Sequence, residues 1–133
     1  MLTSVGAARR FVADVLGRVG AGKRLSDEAV LLTSEVVTNA LVHAGGGCTL
    51  TVAVDTGVVR VEVHDEDSTA PAARQAGAHD EGGRGLHLLD SLAWRWGSAP
   101  VAGAGKSVWF ELVRSSTPTS SWVGEAGAVR RGR

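Results

Sequence analysis
Apolar residues return at three- and four-residue intervals between Val5 and Val19, at Val5, Ala8, Phe11, Val12, Val15, Leu16 and Val19, which predicts a helix with one buried stripe. Gly20 to Gly22 break that pattern. Ser26, followed by Asp27 and Glu28, suits the start of a second helix running to about Ala44, where Gly45-Gly46-Gly47 ends it. The apolar side of this helix is expected at Val30, Val37, Leu41 and Ala44.

The period then changes from helical to alternating. Leu50, Val52 and Val54 alternate with threonines and alanine, and Val59, Val61 and Val63 alternate with Arg60, Glu62 and His64. This predicts strands at Cys48 to Val54 and Val58 to Asp65, joined by a turn at Asp55-Thr56-Gly57. Residues Glu66 to Gly82 hold glycine, proline and five alanines without a period, so a mobile loop with the length of a lid is expected there. A short helix at Gly85 to Leu92 follows, then strands at Ala93 to Ser98 and Ser107 to Val113 around a Pro100 to Lys106 turn.

The resulting order, ααββαββ, predicts an α+β fold. It is a two-layer sandwich in which a mixed, mostly antiparallel sheet carries its helices on one face. One domain over residues 1–114 is expected. The serine, threonine, glycine and arginine content from Ser115 onward predicts a disordered tail over residues 115–133.

Composition narrows the partners. With 133 residues and 44% hydrophobic content the chain can build one core. Fourteen basic and fourteen acidic residues cancel, so net charge points to neither nucleic acid nor an anionic membrane. No stretch is apolar enough to span a bilayer, because the uncharged run from Val36 to Val54 is rich in threonine, glycine and amide groups. No secretory leader is apparent, and a lone cysteine, Cys48, excludes an internal disulfide and fits a reduced cytoplasmic setting. Its expected role is strand packing.

Three segments carry candidate chemistry. Glu35 and Asn39 stand four residues apart and drift only about 40° around a helix, so a carboxylate and a carboxamide share one face. Asp65 ends a valine-rich strand at the sheet margin, where a carboxylate can accept a hydrogen bond from the exocyclic amine of adenine. Gly82-Gly83-Arg84-Gly85 leads into a helix, so backbone N–H groups can approach phosphates at the favourable end of the helix dipole, with Arg84 adding a charged donor.

This combination resembles the N box and the two glycine boxes of the GHKL ATPase superfamily. Ser34 to Ala44, Val61 to Asp65, Gly82 to Leu89 and Gly105 to Leu112 are similar to the small bacterial anti-sigma-factor serine/threonine kinases. The likeness covers about residues 4 to 113. It implies ATP and Mg²⁺ as cofactors, with Asn39 as the metal ligand and Glu35 as the base acting on the attacking hydroxyl. It further implies that Asp65 reads adenine, that Gly83 and Gly85 contact phosphate, that Thr38 stands beside the metal ligand, and that Ser107 supports the adenine pocket. The implied partners are a sigma factor and an antagonist protein, with a homodimer also compatible. Two departures stand out: Asp67 replaces the glycine of the family's Asp-x-Gly, and Glu81-Gly82 replaces the arginine that precedes the glycine pair.

Other motifs are poorer fits. Ala104-Gly105-Lys106-Ser107 ends like a P-loop, but Pro100 takes its first glycine position and a strand follows it. His43, His64, His79 and His87 show no zinc-site spacing, and no serine sits on a nucleophile elbow. Trp94, Trp96 and Trp109 read as packing residues of the last strands. The competing function is a nucleotide-dependent module that sequesters its partner without catalysis. The catalytic half of a sensor histidine kinase fits less well, because a start at Met1 leaves no room for a phospho-accepting helical domain.

Overall fold
Ser4, in extended conformation, accepts a hydrogen bond from the Ala7 amide at 3.0 Å and so caps helix α1 (Val5–Arg18). The helix ends on Gly20 at φ 67°, with Ala21 N–H donating to Leu16 C=O at 3.0 Å and Gly20 N–H to Gly17 C=O at 3.3 Å. That left-handed closure satisfies the last carbonyls and favours glycine. The computed structural model describes residues 2–44, 47–65, 83–100, 105–114, 122–125 and 128–130.

Helix α2 (Lys23–Ala44) begins three residues earlier than the sequence suggests. Ser26 is not its cap: the Ser26 amide donates to Gly22 C=O at 3.0 Å, already inside the first turn. The buried stripe also differs, comprising Ala29, Leu32, Thr33, Val36 and Val37, with Val30, Ala40 and Leu41 packed at its margin. Strands β1 (Cys48–Val54) and β2 (Val58–Asp65) form the expected hairpin, closed by Asp55 Oδ1 accepting from the Gly57 and Val58 amides at 2.8 Å each.

Helix α3 (Gly83–Leu92) leads into β3 (Arg95–Pro100) and β4 (Lys106–Val113). Strand β3 starts two residues late because Ala93 N–H still bonds the helix at Leu89 C=O and Trp94 N–H turns onto Glu111 C=O, each at 2.9 Å. The expected loop at 66–82 and the centre of the turn at 101–104 lie outside the described residues.

The tail expectation needs correction. Two further strands, β5 (Trp122–Glu125) and β6 (Ala128–Arg130), extend a six-stranded sheet of order β3-β4-β2-β1-β5-β6 in which every described pairing is antiparallel. Residues Thr51–Val54 of β1 pair with β5, while Leu2 and Cys48 exchange hydrogen bonds of 2.7 and 2.9 Å further along β1. An unpaired edge of β1 would leave backbone donors and acceptors unsatisfied, a demand that side-chain composition does not reveal.

Directly opposed residues share a face. One face carries Leu50, Val52, Val54, Val59, Val61, Val63, Phe110 and Leu112, all at most 2% exposed, and the helices pack on it. The other face is polar and aromatic. There Glu111 accepts from Arg95 (2.7 and 3.0 Å) and Arg60 (3.0 Å), Arg60 lies over the Trp109 ring at 4.2 Å, and Ser107 donates to Glu62 at 2.6 Å. Burial opposes the charge of Glu111, but hydrogen bonds and attraction from Arg95 and Arg60 prevail and hold its carboxyl below the ordinary carboxylate range.

Beyond β4, buried Arg114 donates to Asp55 C=O and to Val19 C=O at the end of α1, both at 2.9 Å. It ties the hairpin turn to the helix layer. No helix among the described residues is long and apolar enough to cross a membrane.

Candidate nucleotide site
Helix α2 packs one side against the sheet and leaves Glu35 and Asn39 half-buried and Thr38 exposed on its free side. The helix runs toward the sheet end that holds Cys48, because it feeds β1 through residues 45–47. Along its axis, Asn39 and Glu35 stand roughly 8 and 14 Å before its last residue, Ala44.

Asp65 occupies the same end of the sheet. It is opposed by Cys48 on β1 and by Lys106 on β4, so it lies in phase with the helix-covered face rather than the outer one. Its side chain is buried, at 3% exposure for the residue, and partnered. The Cys48 thiol reports its presence: burial, and then the charge of Asp65, push that thiol up. Cys48 is therefore a packing residue, as its sequence context suggests.

Gly105 closes the far side of this carboxylate. Its φ is 87°, and a β-carbon there would overlap Asp65 C=O and come within 2.6 Å of Asp65 Oδ1. Only glycine allows the backbone entering β4 to approach Asp65 so closely.

The third segment arrives through α3. Strand β3 begins opposite Glu111 and ends opposite Lys106, and the ten-residue α3 that precedes it packs on α2 and β3. The last turn of α3 is therefore fixed beside the Glu111 end of β3, and its first turn lies about 13 Å back along the helix axis. That turn contains Gly83 and Gly85 and no acidic residue to oppose an anion at the positive end of the helix dipole. The Arg84 side chain lies outside the described residues, as do Asp67 and residues 81–82.

One expected site residue belongs elsewhere. Ser107 opposes His64 and donates to Glu62, so it faces the outer surface and does not support a pocket at Asp65. The β4 residue beside Asp65 on its own face is Lys106, which the sequence presents only within the P-loop mimic. The alternation of Val108, Phe110 and Leu112 with Ser107, Trp109 and Glu111 places Lys106 in phase with the buried set, a signal already present in the chain.

The antiparallel sheet covered on one face by helices makes the two-layer sandwich of an ATP-binding domain of the GHKL type. The chain belongs to the histidine kinase-like ATPase domain family, whose model matches residues 1–112. An uncharacterised protein of Streptomyces coelicolor is 42% identical to it over 69 residues, a match covering 48% of this chain and 66% of that relative's length.

Proposed function
We propose that this domain binds Mg·ATP at the Asp65 end of the sheet and transfers the γ-phosphate to a serine or threonine of an antagonist protein, acting as an anti-sigma-type kinase. The observation that carries the reading is Asp65, a buried carboxylate held against Gly105 at the end of a central strand.

The residues fit the cofactors. Among the described residues no three His, Cys, Asp or Glu side chains gather as a metal site of their own. An amide oxygen such as that of Asn39 suits Mg²⁺, which keeps waters and takes most remaining ligands from phosphates. The metal supplies charge neutralisation on the phosphate oxygens. Asp65 accepts from the adenine amine and fixes the base. The amides of Gly83 and Gly85 hold phosphate, and Thr38 borders the Asn39 position. Glu35 orients the incoming hydroxyl and takes its proton, the main task left to a protein in phosphoryl transfer. Arg84, from the same turn, adds charge toward the phosphates. The partners in this reading are a sigma factor and the phosphorylated antagonist, with self-association as a homodimer compatible with it.

The test is incubation with labelled ATP and candidate antagonist proteins. Transfer by the native chain that is abolished in Glu35→Ala supports the kinase; undiminished transfer by Glu35→Ala removes it. Asp67 in place of the family's glycine, together with the missing arginine before the glycine pair, favours a second reading, a nucleotide-dependent sequestering module. Calorimetric ATP binding and partner capture without phosphorylation under any condition would select that reading.

A further inference from the structure
Across the helix-covered face at the nucleotide end, the opposed residues are Cys48, Asp65, Lys106 and Pro100, in that order. Side chains opposed in this way stand roughly 5 Å apart at Cβ. Lys106 is half-buried, yet it makes no hydrogen bond or ion pair among the described residues, although it neighbours a buried carboxylate. Asp65 is held in place from the Gly105 side, so the pair presents a fixed acceptor next to an uncommitted cationic donor.

Adenine's hydrogen-bonding edge has the complementary order: the exocyclic amine donates, and the ring nitrogen next to the amine-bearing carbon accepts. A hydroxyl or a water would satisfy that nitrogen weakly, whereas an ammonium forms a charge-assisted bond. We propose that Lys106 is a specificity-determining residue that donates to this ring nitrogen while Asp65 accepts from the amine. This inference rests on the nucleotide site proposed above. It gives a role to a lysine that the phosphoryl-transfer chemistry does not use.

The probe pair is ATP and 1-deaza-ATP, in which a C–H replaces that nitrogen, each titrated with Mg²⁺ by calorimetry into the native chain and into Lys106→Met, a variant of similar length without the charge. Native chain should bind ATP about tenfold or more tightly than 1-deaza-ATP, the size expected of one charge-assisted hydrogen bond. Lys106→Met should lose that same factor for ATP and lose nothing further for the deaza analogue, the non-additivity expected of a direct contact. Lys106→Arg should keep most of the discrimination. Thermal unfolding of Lys106→Met should match the native chain.

Equal losses for both nucleotides in Lys106→Met, or no loss for either, would overturn the role of Lys106 while leaving ATP binding in place. Tighter binding of GTP than ATP would also overturn it, since guanine reverses the donor and acceptor order. A native chain that binds no adenine nucleotide would instead remove the nucleotide reading itself, and this inference with it.

Discussion
Replacing Gly105 with alanine tests the geometry of the site more severely than removing a charged group. The added methyl meets two costs. The backbone at φ 87° is one that side-chain-bearing residues avoid, at about 1–2 kcal/mol. The β-carbon would also overlap Asp65 C=O, a backbone atom of a central strand that cannot swing aside, and forced overpacking of this kind costs roughly 1–3 kcal/mol. Together Gly105→Ala should lose roughly 2–5 kcal/mol, a large fraction of a domain's stability. Gly20→Ala separates the terms, because Gly20 has φ 67° but open space around its missing β-carbon. It should lose only about 1–2 kcal/mol. Gly57→Ala, with open space and no positive φ, should stay within about 0.5 kcal/mol of native. Denaturant unfolding gives the three stabilities, and calorimetry of the folded fraction should show ATP binding weakened in Gly105→Ala alone, because only there is Asp65 displaced. If Gly105→Ala were no less stable than Gly20→Ala and bound ATP normally, the contact between Gly105 and Asp65 would not shape the site.

Arg114→Ala removes two charge-assisted donors from the Val19 and Asp55 carbonyls and should lower stability by about 2–4 kcal/mol in denaturant unfolding; a loss under 0.5 kcal/mol would show that the tie is dispensable. Glu111 has a depressed carboxyl in the folded state, so its stabilisation is complete above the ordinary carboxylate range and erodes as pH falls through that range to the folded value. Glu111→Gln should flatten the acid limb of a melting temperature–pH profile, and an unchanged limb would contradict the assignment. Gly97→Ala would place a β-carbon 2.8–2.9 Å from the Trp109 indole, so tryptophan fluorescence should shift and stability fall by about 1–3 kcal/mol. Deleting residues 115–133 strips β5 from β1 and should make the protein less stable and prone to concentration-dependent association; a monomer of native stability would show that the added strands do not protect that edge.

The legibility of this chain followed how local each signal was. The stripe of Ala8, Val12, Val15 and Leu16 and the alternation of β1 and β2 are set by neighbours a few residues apart, and the structure keeps both. So is the Asp55 turn, whose side chain closes its own loop. Ser26 misled because a good capping residue was read without the Gly22 carbonyl that takes its amide. Strand β5 is not legible because its partner is β1, some seventy residues away in the chain, and β6 in turn pairs only with β5 among the described strands. For the site, Glu35, Asn39, Asp65, Gly83 and Gly85 are legible as motif residues, and of these the structure shows Asp65 buried between Cys48 and Lys106. Ser107 falls in the opposite strand phase from Asp65, which residue type alone does not reveal.

The central claim is that one nucleotide joins Asp65, Asn39 and the start of α3. It is tested most directly by a crystal structure with Mg²⁺ and a non-hydrolysable ATP analogue. The account predicts the adenine amine on the Asp65 carboxylate, the metal on the Asn39 oxygen, and phosphate oxygens on the Gly83 and Gly85 amides. A nucleotide bound elsewhere, or those three groups left without contact to it, would contradict the account.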